Sequence, residues 1–322
     1  MSQPIIYIDG QEGSTGLRIR ELLENRKDIN LTLIPPEKRK ESKQRALHLN
    51  EADLAILCLP DTAAAEALEM INPHTRVIDT STERRTQEDW TYGLPELGRS
   101  HRQTIAAADR VANPGCYPVG FILTVRPLIE SGILPATTPL TVNTVSGYSG
   151  GGRKMIKFYQ TAPPSKYFEQ DAPIPLSLYG LTDTHKHVAE MQKFSLTAQP
   201  PMFVPSVDCT FNGMIVCTPI PAPYLSPNTT AESVCNLWSK RYKNEPFVHV
   251  FPPTKATSTL RNGCFLDLIN ANHTNHIELF AFGDERGVVL IARQDNLGKG
   301  ASGNAVQCMN LMLGFGESEG LI

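Results

Sequence analysis

One cysteine among the seven in the chain stands where a thiol could act as a nucleophile. Cys116 lies in Asn113-Pro114-Gly115-Cys116-Tyr117-Pro118. After it, Val119, Phe121, Ile122, Val125, Leu128 and Ile129 recur at the spacing of one apolar helix face, ending near Gly132. Pro118 suits a first helical turn, where its missing N–H costs nothing. Cys116 is therefore expected at a helix N-terminus, whose unpaired N–H groups and dipole favour thiolate over thiol. The other six cysteines sit mostly among apolar neighbours, where a free cysteine behaves as a small inert hydrophobe. The same structural role is open to Cys116.

A thiolate needs a partner that moves protons. Among eight histidines, His185-Lys186-His187 is the concentrated candidate. Glu190 follows His187 by three residues on a helix expected to begin near Val188, where a carboxylate could orient the imidazole. On that ground His187 is taken as the acid/base and His185 as its alternate, although a solvent-facing basic helix start would use the same residues. A metal site would need further ligands at fitting spacing. Cys209 and Cys217 fall in strand-like segments and His273 and His276 in an Asn-rich turn, so no metal is expected.

Three glycine-rich loops could hold anions. Asp9-Gly10-Gln11-Glu12-Gly13-Ser14-Thr15-Gly16 follows the β-branched run at 4–8 and precedes Leu17, Ile19, Leu22 and Leu23. This strand, turn and helix would let the backbone approach a pyrophosphate at a helix N-terminus. The spacing departs by one residue from G-x-G-x-x-G, and an ordinary tight turn would use the same glycines. About 20 residues further on, where an NAD site carries an acidic residue, the chain reads Glu37-Lys38-Arg39-Lys40. That basic cluster matches the 2′-phosphate of NADP, or else a solvated helix start. The second loop, Ser146-Gly147-Tyr148-Ser149-Gly150-Gly151-Gly152-Arg153-Lys154, lacks the Gly-Lys-Ser/Thr of a Walker loop; it reads equally as a phosphate subsite or a flexible hairpin. The third, Gly298-Lys299-Gly300-Ala301-Ser302-Gly303-Asn304, opens onto a last apolar helix.

The elements that position these groups are legible in the periodicity. Strands are expected at 31–34, 52–59 and 76–81, with Asp61-Thr62 capping an alanine-rich helix between the last two. Strands alternating with helices imply an α/β, doubly wound parallel sheet. A further strand at 140–145 leads into the second loop. Proline-rich stretches near Pro163-Pro164, Pro200-Pro201, Pro219 to Pro223 and Pro252-Pro253 read as surface loops.

The 322 residues exceed what one core usually fills and suggest two domains. An apolar fraction of 41% and a charged fraction of 20% are those of a folded protein, and a net charge of −3 supplies no field for nucleic acid or an anionic membrane. Met1-Ser2-Gln3-Pro4 has no signal-peptide pattern, no apolar run approaches a membrane span, and the odd, scattered cysteines suit reduced thiols in a cytoplasm.

Taken together, the strings Asn113 to Pro118, Val145 to Gly152 and His185-Lys186-His187-Val188-Ala189-Glu190-Met191 closely resemble the N-acetyl-gamma-glutamyl-phosphate reductase family, in its shorter, type 2 form. The resemblance extends to Val77-Ile78-Asp79-Thr80-Ser81, Tyr92-Gly93-Leu94-Pro95-Glu96-Leu97, Phe203-Val204-Pro205-Ser206 and Asp295 to Gly303, in collinear order over nearly the whole chain. It implies NADPH-dependent reduction of N-acetyl-glutamyl 5-phosphate to the 5-semialdehyde, with release of phosphate, in arginine biosynthesis. It also implies a Rossmann domain of 1–115 completed by a C-terminal helix at 299–322. Residues 116–298 would form a catalytic α+β domain built on an antiparallel sheet that mediates homo-oligomer contacts. Aspartate-semialdehyde dehydrogenase is expected to share the architecture.

Carried over by residue, the resemblance implies Cys116 as nucleophile with His187, His185 and Glu190. Cofactor contacts would come from Gly10, Gly13, Ser14, Thr15, Gly16, Lys38, Arg39, Ser81, Gly147, Asn296 and Gly300. Substrate or phosphate contacts would come from Asn113, Ser149, Arg153 and Lys154. The rivals are a reductase of an aspartyl or aminoadipyl substrate, a cysteine hydrolase with no use for the dinucleotide loop, and a cofactor-sensing regulator that would tolerate loss of Cys116.

Overall fold

The computed structural model describes residues 3–161, 174–182 and 185–321. The chain forms two units, Met1–Gly115 with Ala301–Ile322, and Cys116–Gly300.

In the first unit, short apolar strands alternate with helices: β1 (Ile5–Asp9), α1 (Ser14–Leu23), β2 (Asn30–Thr32), α2 (Ser42–Glu51), β3 (Leu54–Leu57), α3 (Asp61–Met70), β4 (Arg76–Asp79), β5 (Thr91–Tyr92), α4 (His101–Ala107) and β6 (Arg110–Ala112). Each crossover returns the chain in the same direction, so all pairs are parallel, in the order β2-β1-β3-β4-β6-β5. The strand β3 is buried at every position, as a sheet covered on both faces requires. One face packs Ile6, Ile8, Leu54, Ile56 and Ile78 against Ile19 and Leu23 of α1 and against Val306 and Met309 of the C-terminal helix. The chain leaves β1 for β2 on one side and then crosses to β3 on the other. The glycine loop after β1 therefore sits at the topological switch point, where such sheets bind ligands.

The structure departs from two expectations in this unit. The sheet has six strands, two more than expected: β5 and β6, of two and three residues, are not among those read from the sequence. Asp61 opens α3 without capping it: its carboxylate accepts from the main-chain N–H groups of Thr82 (2.6 Å) and Glu83 (3.3 Å), beyond β4.

The second unit runs α5 (Cys116–Glu130), β7 (Thr141–Gly147), α6 (Gly152–Thr161), β8 (Ser177–Leu178), α7 (Val188–Ser195), β9 (Met202–Asp208), β10 (Met214–Pro221), α8 (Ala231–Arg241), β11 (Val248–Phe251), the single turn α9 (Pro253–Ala256), β12 (Ile277–Asp284) and β13 (Gly287–Gln294). Its seven strands lie in the order β11-β12-β13-β10-β7-β9-β8. The expected antiparallel sheet is in fact mixed, because β7 with β9 and β11 with β12 are parallel, each pair joined through intervening helix.

Buried α5 covers one face of this sheet, with Gly120 packed so closely that an added Cβ would lie 2.9 Å from Val216. Pro127, inside α5, cannot donate to Leu123, and that carbonyl accepts instead from the Tyr242 hydroxyl at 2.7 Å. On the opposite face, Val145, Ile215, Cys217, Val289 and Ile291 are half-exposed, alternating with buried neighbours. Pro219 and Pro221 lie in β10 and not in a loop. They fall beyond Cys217, where pairing with β7 has ended, so their missing N–H groups leave no ladder bond broken. Pro163 and Pro164 lie outside the described residues.

The 146–154 loop is not a hairpin: Tyr148–Gly151 makes a 3-10 turn, and α6 starts at Gly152, whose φ of +69° suits glycine. The last helix, α10 (Gly303–Leu313), comes after a single π-helical turn and belongs to the first unit.

Candidate active site

In the first unit the glycine loop is held by its own backbone. Gly10 adopts φ +90°, Gly13 N–H donates to the Gly10 carbonyl at 3.0 Å, and a Cβ on Gly16 would fall 2.3 Å from that same oxygen. Ser14, Thr15 and Gly16 open α1, and no side chain caps that helix. This arrangement fits a pyrophosphate, which would accept from those first-turn amides. Lys38 and Arg39 are exposed in the turn after β2, and Arg39 comes to 4.0 Å from the Glu12 carboxylate of the glycine loop. Ser81 is 6% exposed, and both its N–H and its hydroxyl donate to Asp79 at 2.8 and 2.7 Å. Its hydroxyl proton is thus already used. Burial pushes the Asp79 carboxyl above its ordinary range, with the two Ser81 hydrogen bonds opposing that rise.

Asn113 is likewise committed within the first unit. Its amide donates to the Ala301 carbonyl at 3.0 Å and accepts from Asn304 at 2.8 Å, fastening the end of β6 to the C-terminal segment. These bonds use the side-chain oxygen and one of the two amide N–H groups.

In the second unit Cys116 is the first residue of α5 and is half-buried. Its carbonyl accepts from Gln294 Nε2 at 2.6 Å. Gly300 abuts it, and an added Cβ there would lie 2.9 Å from Cys116 Cβ. The next residue, Tyr117, hydrogen-bonds hydroxyl to hydroxyl with Tyr179 at 2.8 Å. Around Tyr117 stand the rings of His185, His187 and Phe203 at 6.1, 5.7 and 5.2 Å, and the two imidazoles are 4.7 Å apart. Burial, with a smaller contribution from Cys116, raises both phenols: Tyr179 to about 12, and Tyr117 well above its ordinary value. Both therefore stay protonated near neutrality.

His187 N–H donates to His185 Nδ1 at 3.2 Å, so a neutral His185 ring carries its proton on Nε2. His187, at the N-cap of α7, is 6% exposed and Glu190 1% exposed. The geometry thus sets Gly300 against Cys116, and His185 and His187 against the ring of Tyr117, the residue that follows Cys116. It adds Tyr117, Tyr179 and Gln294, which spacing along the sequence does not single out. Tyr117 and Gln294 adjoin motifs named above, whereas Tyr179 lies in a stretch with no patterned spacing.

A second group is knit by Asn296. Its carbonyl oxygen accepts from Gly213 N–H at 2.9 Å, its amide donates to Ser149 Oγ at 2.8 Å, and Ser149 donates onward to Asn212 at 2.7 Å. Ser149, fully buried, has therefore spent its only proton inside the protein. Gly147 is required by packing, since a Cβ there would lie 2.5 Å from the Phe211 carbonyl oxygen. Arg153 and Lys154 are exposed in the first turn of α6. Among the described residues, no group of three His, Cys, Asp or Glu side chains could hold a metal, and no helix is long and apolar enough to cross a membrane.

The semialdehyde dehydrogenase dimerisation domain matches residues 116–296, and the semialdehyde dehydrogenase NAD binding domain matches residues 36–105. N-acetyl-gamma-glutamyl-phosphate reductase 2 of Nostoc sp. is 46% identical, with 100% of both chains covered. The N-acetyl-gamma-glutamyl-phosphate reductase of Burkholderia lata is 44% identical, with 98% of both covered. Among solved structures, aspartate semialdehyde dehydrogenase II of Vibrio cholerae shares the fold at a TM-score of 0.72 and 19% identity, covering 97% of this chain and 99% of that one. The chain belongs to the N-acetyl-gamma-glutamyl-phosphate reductase family of oxidoreductases, on the fold of the semialdehyde dehydrogenases.

Proposed function

We propose that the protein reduces N-acetyl-L-glutamyl 5-phosphate to N-acetyl-L-glutamate 5-semialdehyde, with NADPH as reductant and phosphate as second product, in arginine biosynthesis. The observation that carries the reading is Cys116 at the start of α5, followed by Tyr117, whose ring packs on two imidazoles and whose hydroxyl pairs with that of Tyr179. The names of full-length relatives support the substrate.

In this reading the imidazole pair takes the Cys116 proton, and the thiolate attacks the acyl carbon. The carbon–oxygen bond to phosphate breaks, leaving a thioester on Cys116. NADPH, when bound, supplies the hydride that reduces it. The histidine then protonates the oxyanion of the thiohemiacetal, and collapse to the aldehyde returns the sulfur and the proton to their starting places. Spacing favours His187 for this work through Glu190; the fixed tautomer and greater exposure of His185 favour His185 instead. With the Ser149 proton given to Asn212, the departing phosphate falls to Arg153 and Lys154, exposed in the first turn of α6.

Arg39, 4.0 Å from Glu12 of the glycine loop, and its exposed neighbour Lys38 support NADP over NAD. The half-exposed apolar face of Val145, Ile215, Cys217, Val289 and Ile291 supports a homo-oligomer in which a second copy covers it. Seven cysteines without a disulfide support a reducing, cytoplasmic setting.

The test runs the reaction backwards from a panel of semialdehydes with NADP and phosphate. Reduction of NADP that requires phosphate and prefers the N-acetyl-glutamyl compound is the expected result. Reduction without phosphate, or a preference for the aspartyl compound, would replace the reading.

A further inference from the structure

Gln11 lies inside the glycine loop, between Gly10 and Gly13, and is 5% exposed. Its side-chain amide pairs with both main-chain groups of one distant residue: Nε2 donates to the Ile34 carbonyl at 3.0 Å, and Oε1 accepts from the Ile34 N–H at 3.1 Å. The β1–β2 ladder ends at Tyr7 and Thr32. Gln11 therefore adds a rung by side chain two residues past the end of the sheet, satisfying buried main-chain groups that no strand reaches.

The segment directly after Ile34 makes that rung consequential. Pro35 and Pro36 restrict the chain, Lys38 N–H closes a turn onto the Pro35 carbonyl at 2.9 Å, and Arg39 reaches back to within 4.0 Å of Glu12. One end of the Gln11 strut thus stands in the loop that any nicotinamide dinucleotide would share. The other end directly precedes the cations of that turn, at the place where such sheets read the ribose 2′ substituent. The loop does not depend on the strut for its own shape, which the Gly13-to-Gly10 hydrogen bond and the Gly16–Gly10 contact maintain.

We infer that Gln11 is a positioning residue for dinucleotide selectivity. It fixes the distance between the pyrophosphate loop and the basic turn, so that a 2′-phosphate meets Lys38 and Arg39 in register. This inference rests on the NADP reading above.

Dissociation constants of NADP+ and NAD+ are measured by calorimetry on the full chain and on Gln11→Ala, Gln11→Leu and Arg39→Ala. Leucine fills the buried volume without either hydrogen bond, which keeps the test open if the alanine variant folds poorly. The NADP+ preference is expected to fall by about tenfold or more in the Gln11 variants, the factor for one lost charge-assisted hydrogen bond. Amide exchange at Ile34 should quicken alongside. Equal weakening of both dinucleotides would make Gln11 a loop brace only and overturn the inference. Selectivity lost in Arg39→Ala but kept in Gln11→Leu would overturn it too, while leaving the cofactor reading intact. Equal affinities in the unmodified chain would sink the cofactor reading and this inference with it.

Discussion

The main-chain carbonyl of Cys116 accepts a 2.6 Å hydrogen bond from the side-chain amide of Gln294, 178 residues further along the chain. Gln294 is fully buried at the end of β13, so the first turn of the helix bearing the sulfur is tied to the mixed sheet. Gln294→Met keeps much of the shape but removes the donor without adding a charge. It is expected to lower kcat roughly tenfold, as one lost buried hydrogen bond implies, with KM little changed. Steady-state kinetics in the backward direction read this directly, and an unchanged kcat would show that the tie is irrelevant to the sulfur.

Cys116→Ser should reduce turnover by several orders of magnitude, because a neutral hydroxyl neither ionises near neutrality nor leaves as readily as a thiolate. NADP+ binding, measured by calorimetry, should persist, since the glycine loop lies in the other unit. Retained turnover would remove the thioester from the mechanism.

Gly300→Ala places a methyl group 2.9 Å from Cys116 Cβ. Overpacking of this kind costs about 1–3 kcal/mol. A lowered Tm and slower alkylation of Cys116 by iodoacetamide are expected, and a variant as stable and as reactive as its parent would argue against the contact.

The buried phenol of Tyr179 makes stability depend on pH in the alkaline range. Its ionisation is raised by burial to about 12 from an ordinary 10, so the folded chain holds the proton more tightly than the unfolded chain. That stabilisation is complete below pH 10 and is lost as pH rises through about 12, a change of about 3 kcal/mol. Urea midpoints between pH 8 and 11 should decline less steeply for Tyr179→Phe. Parallel declines would place the phenol in contact with water.

Ile215→Asp and Ile291→Asp put a charge on the half-exposed face of the mixed sheet without touching the buried face. Sedimentation should show a smaller species than the parent. An unchanged species would move the subunit contact elsewhere.

The fold class and family were legible in the sequence because the signals are local. The apolar run before Asp9, the glycines at 10, 13 and 16, and the helical spacing after Cys116 each arise from a few adjacent residues obeying one backbone geometry. Strands of two or three residues, such as Thr91–Tyr92, carry too few positions to show a period. The strand prolines 219 and 221 read as loop because their tolerance depends on where β7 stops, which is not a property of their own segment.

Within the candidate site, residue type alone determined which side chains could do chemistry: one thiol at a helix start, two nearby imidazoles, and glycines where a backbone must come close. Only the tertiary structure decided which of them are already engaged. Ser149 and Asn113 read from the sequence as substrate or phosphate contacts, and the structure adds that Ser149 donates to Asn212 and that Asn113 is bonded to Ala301 and Asn304. Tyr179 and Gln294 join Cys116 from far along the chain. A hydrogen bond's partner is set by positions in space, and sequence separation carries almost no information about those once the chain has turned through several strands.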